Sequence, residues 1–161
     1  MPSSDSAVPA NAGRAHPLDE PAVNPASVQD GYVPSEAEEF MSPPQQAFFR
    51  RLLTEWKRSI QIEAESTLAS LQDGPMREPD VTDRASSETD WSIELRTRDR
   101  QRKLVTKIDS ALRRLDDGEY GYCEVTGEPI SLGRLIARPI ATMTVEAQER
   151  HERQERVSRD D

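Results

Sequence analysis

The sequence predicts a mainly α protein: a long antiparallel coiled-coil hairpin on a small globular knob, followed by a C-terminal helix. Three observations predict it. Two long, charged, helix-forming runs, about Gln45–Gln72 and about Thr89–Asp116, flank the short acidic stretch Glu78–Asp90. Long helices joined by a short connection pack as an antiparallel hairpin. In the first run, Phe49, Leu53, Trp56, Ile60, Ala64, Thr67 and Leu71 follow one another in steps of 4, 3, 4, 4, 3 and 4. That is close to the 3.5-residue repeat of a coiled-coil seam, with one slip near Ile60–Ala64. Finally, hydrophobic residues make up 34% of the 161-residue chain and charged residues 32%, with three Phe, two Trp and three Tyr. A seam needs no more than this, whereas a barrel or doubly wound enzyme core needs more.

Residues 1–37 read as a disordered, acidic, Pro-rich tail. Pro2, Pro9, Pro17, Pro21 and Pro25 interrupt any helix, and little apolar surface is present to offset the entropy of ordering. Residues 1–40 hold seven acids against Arg14, a net of −6 within the chain's −9. Gly31-Tyr32-Val33-Pro34, followed by Phe40-Met41, places aromatics in this acidic setting and reads either as a docking strap or as a frayed end. No leader pattern or membrane-length apolar run is visible, so a soluble, cytoplasmic protein is expected.

The hairpin is expected over 38–118. Ser42 is the candidate cap before Pro43-Pro44. Phe48, Leu52 and Leu68 widen the stripe, and Asp73-Gly74-Pro75 is expected to end the helix. The tip is placed at about 78–90, with Thr82 or Asp83 and the Ser87-x-x-Asp90 pattern as start signals for the second helix. That helix carries Trp91, Leu95, Leu104, Val105, Ile108, Ala111, Leu112 and Leu115 and stops at Asp116-Asp117-Gly118. Six of the eight residues in Arg96–Lys103 are charged. Solvated coiled-coil flank and basic docking face both account for them. Asp80 and Asp83 are read either as capping and solubilising residues or as groups that approach a divalent ion held by a partner.

Residues 119–143 form the knob. Tyr122-Cys123-Glu124-Val125-Thr126-Gly127 has the spacing of a zinc-ribbon knuckle, Cys-x-x-Cys-Gly, with Thr126 at the second ligand position. The counterpart about 18 residues on is Thr144-Val145-Glu146-Ala147. Structural zinc wants four N or S donors, so the knob is zinc-finger-like but zinc is not expected, even with Glu146 and His151 as replacement ligands. Over 144–161, Glu146–Arg150, Glu149–Arg153 and Glu152–Arg156 are i,i+4 pairs that support a polar helix, with Val145 and Val157 as its apolar contacts.

Chemistry is sparsely represented. Cys123 is the sole cysteine and His16 and His151 the sole histidines, none adjacent in sequence. There is no phosphate-loop pattern. The chain does not read as an enzyme, and its negative charge disfavours non-specific DNA binding. A coiled-coil adaptor with another partner and a DNA-binding regulator are the alternatives to the reading that follows.

Phe-Phe-Arg-Arg-Leu-Leu…Trp (48–56), Pro-Asp-x-x-Asp-Arg-Ala (79–85), Glu-Leu-Arg-x-Arg-Asp-Arg-x-Arg-Lys-Leu (94–104), Gly-Tyr-Cys-Glu (121–124) and Arg-Leu-x-Ala-Arg-Pro (134–139) together resemble the DksA/TraR family, over roughly residues 38–157. The resemblance implies a monomeric transcription regulator whose coiled coil enters the secondary channel of bacterial RNA polymerase. Its acidic tip would alter open-complex stability at stable-RNA and amino-acid promoters, with the alarmone ppGpp as co-effector in the stringent response. By position, the tip residues are Asp80, Asp83 and Ala85, and Arg100 faces the polymerase rim. Leu104, Lys107 and Arg138 face ppGpp, and Gln148 stands at a fourth position where lysine is usual. Of the zinc ligands only Cys123 is retained, with Thr126, Thr144 and Ala147 at the others, as in single-cysteine members. The knob is then expected to fold by packing Tyr120, Tyr122, Ile130, Leu132, Leu135 and Ile140.

Overall fold

The structure, a computed structural model, describes residues 31–72 and 81–160. Four helices follow one another: α1 (Pro43–Gln72), α2 (Val81–Asp117), α3 (Leu132–Ala137) and α4 (Val145–Asp160). At 1.5 Å per residue, the 30 residues of α1 and 37 of α2 make rods of about 45 and 55 Å. They pair antiparallel. Arg50 reaches Asp116 at 2.7 Å and Lys57 reaches Asp109 at 2.6 Å, so seven residues up α1 match seven down α2. Among the described residues no helix is long and apolar enough to cross a membrane.

The seam is packed in its lower half. Phe49, Leu53, Trp56 and Ile60 are buried with Leu104, Ile108, Ala111 and Leu115, and Phe48 and Leu52 widen the stripe. Further out the period continues but the packing thins. Ala64 and Thr67 are half-buried, and Trp91 and Leu95, counted on sequence grounds as seam residues, are each 48% exposed. The charged run between Leu95 and Leu104 leaves few apolar partners there.

The helix ends differ in detail from expectation. Ser42 precedes α1, but its hydroxyl is buried and makes no hydrogen bond. The entry is fixed by glutamines instead. Gln45 Oε1 accepts the Met41 N–H at 2.9 Å, and Gln46 Nε2 donates to the Met41 carbonyl at 2.7 Å. Met41 has φ 53, a left-handed conformation that costs a non-glycine residue roughly 1–3 kcal/mol and is held by these contacts. The expected stop at Asp73-Gly74-Pro75 lies outside the described residues. α2 begins at Val81, so Thr82, Asp83 and Ser87 are helical rather than caps, and residues 81–90 of the expected tip extend the second helix. It ends as expected: Gly118 takes φ 75 and donates to the Leu115 carbonyl, while Glu119 donates to that of Arg114.

Residues 31–37, the last of the expected tail, pack against the base in this structure; 1–30 lie outside the described residues. Tyr32 donates to Glu38 Oε2 at 2.6 Å and sets its ring edge-on to Phe48. Burial, then Glu38, push the Tyr32 phenol up to about 12, and the Tyr32 hydrogen bond holds the Glu38 carboxyl below its ordinary value. Fully buried Gln45 donates to the Ser35 carbonyl at 3.2 Å. Phe40 stands edge-on to Tyr122, joining this strap to the knob.

The knob is a knuckle, a helical turn and an exit. Tyr122 and Pro129 form an antiparallel bridge, Ile130 donates to the Gly121 carbonyl at 2.7 Å, and Cys123 donates to that of Glu128 at 2.8 Å. Gly121 has φ 89, and a Cβ there would sit 3.1 Å from Met41 Cε and Phe40 Cζ, so the strap lies directly on it. Tyr120, Ile130, Leu132, Leu135 and Ile140 are buried as expected and Tyr122 is half-buried. The Tyr120 hydroxyl donates to the Pro139 carbonyl at 2.7 Å. Ser131 caps α3 by accepting the Arg134 N–H. α4 is anchored by buried Ala147 rather than by Val145 and Val157, which are exposed. Gln148 donates to Glu152 at 2.8 Å, so Glu152 faces Gln148 rather than the expected Arg156, and His151 lies 3.8 Å from Glu155.

Candidate functional site

Where the hairpin meets the knob, α2, α3 and α4 enclose a cavity of about 320 Å³. Lys107 and Arg114 line it from α2, Arg134 from α3, Arg138 from the exit turn and Gln148 from α4. Among the described residues no carboxylate lines it. The helical period explains the α2 contribution, because residues seven apart share a face. Arg134 on α3 and the C-capping Arg138 are one turn apart. Arg134 Nε donates to the Met143 carbonyl at 2.9 Å, which fixes the guanidinium plane. Arg114 Nη2 donates to the Tyr122 carbonyl at 2.8 Å, and Nη1 lies 3.7 Å from Glu124. Gathered cations beside hydroxyl and amide groups are the chemistry that recognises an anion, and arginine suits phosphate through paired N–H groups.

The structure thus brings together three of the four residues expected to face one ligand: Lys107, Arg138 and Gln148. Leu104 does not line the cavity; it is buried in the seam one turn earlier. Arg114 and Arg134 are additional cations that sequence reasoning did not pick out. The signal was present in the seven-residue spacing of Lys107 to Arg114 and the four-residue spacing of Arg134 to Arg138.

The knuckle positions also converge. Cys123 is 3% exposed. Burial raises its thiol pKa, but hydrogen bonds from the Thr126 hydroxyl and from the amides of Thr144, Thr126 and Val125 outweigh burial and bring it down to about 6. Glu124 N–H donates to the Thr142 carbonyl at 2.9 Å, stitching the first knuckle to the second, and Thr144 Oγ1 accepts the Ala147 N–H. One thiol, two hydroxyls and the Ala147 methyl do not fit a tetrahedral zinc ion. Among the described residues, no group of three or more His, Cys, Asp or Glu side chains is placed to hold a metal.

Arg100 is exposed on α2, one residue beyond Asp99. Asp99 bridges to Arg102 at 2.7 Å and Lys103 at 2.9 Å, and these cations, Lys103 foremost, hold its carboxyl below the usual range. Part of the basic run is therefore neutralised internally. Asp83 and Ala85 fall in the first turns of α2, with their side chains outside the described residues; Asp80 lies outside them entirely.

Comparison with known proteins gives two adjoining matches. Residues 45–115 match the family described as DnaK suppressor protein DksA, N-terminal domain, and residues 118–153 the prokaryotic dksA/traR C4-type zinc finger. The RNA polymerase-binding transcription factor DksA of Caulobacter vibrioides (strain NA1000 / CB15N) is 62% identical over 130 residues, covering 81% of this chain and 92% of that one. The chain belongs to the DksA/TraR family. The Escherichia coli (strain K12) DksA is 41% identical over 115 residues, 71% of this chain and 76% of that one. Among solved structures, transcription factor DksA2 from Pseudomonas aeruginosa shares 44% identity with a TM-score of 0.68, covering 76% of this chain and 93% of its own. Within the DksA/TraR family, the match to a four-cysteine zinc finger coexists here with a single cysteine.

Proposed function

We propose that this chain is a transcription regulator, not an enzyme, that binds RNA polymerase as a monomer in the cytoplasm. The observation that carries this reading is the 62% identity to a DksA across 92% of that protein's length, on a chain built as a long hairpin above a compact base. The hairpin enters the secondary channel, Arg100 meets the channel rim, and Asp80, Asp83 and Ala85 face the active-site region. There the tip shifts open-complex stability, lowering output from stable-RNA promoters and raising it from some amino-acid promoters. ppGpp binds across polymerase and the cationic cavity, where Lys107 and Arg138 meet its phosphates. Gln148 contributes an amide without charge, and Leu104 acts through the packing of the adjoining seam. The knob works without zinc.

The test is in vitro transcription from a stable-RNA promoter, with and without ppGpp, alongside a polymerase-binding assay. Asp83→Asn is expected to abolish the effect on transcription and leave polymerase affinity within about threefold of the parent, since it removes a single charge. Retained activity with lost binding would overturn the tip assignment. Tight, sequence-selective binding to free promoter DNA would favour a DNA-binding regulator instead.

A further inference from the structure

The flank of the hairpin carries a second concavity. A groove of about 610 Å³ lies between α1 and α2, on the tip side of the Lys57–Asp109 pair. Its apolar lining is buried Ile60, half-buried Ala64 and Val105, and Leu95, which is 48% exposed. Arg98 and Arg102 line it as well. Asp99 does too, but it is already engaged by Arg102 and Lys103 at 2.7 and 2.9 Å. Among the described residues no carboxylate pairs with Arg96, Arg98 or Arg100. Apolar surface beside unpaired guanidinium groups suits an extended acidic segment that carries an apolar side chain.

The chain itself contains such a segment. Residues 1–30 hold Asp5, Asp19, Glu20 and Asp30 against Arg14, a net of −3, whereas Arg96–Lys103 holds five cations and Asp99, a net of +4. Leu18 stands directly before Asp19 and Glu20. The strap fixes where the segment leaves the base, since Tyr32 packs on Phe48. Ile60 and Ala64 are 12 and 16 residues beyond Phe48 on α1, about 18 and 24 Å away. Leu18 is 14 residues before Tyr32, and an extended chain of that length spans about 43 Å. The slack is enough to round a helix about 10 Å across. The tether also keeps these acids near the groove at a roughly millimolar effective concentration.

We propose that residues 18–30 dock in the hairpin groove, with Leu18 against Leu95 and Val105 and the carboxylates of Asp19 and Glu20 on Arg98 and the cations beside it. Arg100 belongs to the same run, so the docked segment competes with a partner that approaches there. The docking stands on the groove and the charges alone. The competition rests on the reading of Arg100 as the polymerase-rim contact.

The test keeps the chain whole. The Leu95 and Val105 methyl signals and the Arg98 Nε–Hε signal are recorded by NMR for the parent and for the double variant Asp19→Asn/Glu20→Gln, at low and at high salt. The variant at low salt should show these signals near the positions that the parent reaches only at high salt, where exposed charge pairs are screened. Phe49 and Leu135 should be unmoved, which shows both proteins folded alike. Groove signals that coincide in the two proteins at low salt overturn the inference. A difference that grows with protein concentration puts the segment on a second copy and overturns it equally. In a second arm, polymerase affinity is measured for both. A segment that fills the groove about two-thirds of the time leaves one-third of the chains competent, so the variant should bind about threefold more tightly. A positive first arm with equal affinities upholds the docking and overturns the competition. Changed affinity with unmoved groove signals means that the acids meet polymerase directly, and it overturns the docking.

Discussion

Cys123 is the one cysteine at the knuckle positions of the matched zinc finger. Its sulfur accepts from the Thr126 hydroxyl and from three amides, one of them across the knob at Thr144. Hydrogen bonds to the thiolate favour it over the thiol, against the opposing effect of burial. The folded value, about 6, lies below the ordinary thiol value of about 8.5. A group depressed on folding stabilises the fold fully above its unfolded value, and that contribution is lost as pH falls through the folded one. The Cys123 ¹³Cβ signal should therefore titrate with a midpoint near 6. The stability advantage of the parent over Cys123→Ala should shrink between pH 8.5 and pH 5.5. A midpoint at 8 or above, or an advantage independent of pH, would contradict this account. The cysteine itself was legible in the sequence as a retained knuckle ligand. Its hydrogen bonds were not, because they come from backbone amides, which every residue carries. Arg114 and Arg134 were missed for a related reason: their common cavity exists only once α2 and α3 are docked.

On the scale of the helices, the hairpin has two mechanical halves. Phe49, Leu53, Trp56 and Ile60 are buried against α2, whereas Leu95 is half-exposed. Leu53→Ala should cost about 2–5 kcal/mol in urea unfolding, and Leu95→Ala less than about 1 kcal/mol. Equal costs would show that the distal half is packed as tightly as the base. The 3.5-residue repeat of α1 was readable because it is a local property of one segment. Its depth of burial was not, since that depends on what α2 offers opposite, and Arg96–Lys103 offers mostly charge. The start of α2 illustrates the limit of capping signals. Thr82, Asp83 and Ser87 each suit a cap, yet the helix runs through all three. Ser42 likewise yields to Gln45, whose longer side chain reaches back to the Met41 amide.

Across the whole molecule, a base of strap, knob and cavity carries a long arm. The strap joins parts distant in sequence: Tyr32 to Phe48, and Phe40 to Tyr122. No periodicity announces such contacts, which is why only the clustered aromatics hinted at order there. Packing around Tyr120, Ile130 and Leu135, together with the stitch from Glu124 to Thr142, supports the proposal that the knob folds without zinc. The purified protein should accordingly contain no stoichiometric zinc, and a chelator should leave its thermal midpoint unmoved. One zinc per chain, lost on Cys123→Ser, would reverse that reading. The central claim concerns where the arm ends. Replacing the active-site magnesium of polymerase with iron(II) generates hydroxyl radicals at that point alone, and cleavage of this chain then reports which residues lie near it. The account predicts cuts confined to the stretch 78–90 around Asp80 and Asp83. Cuts in the knob or α4, or none in a complex shown to have formed, would contradict it.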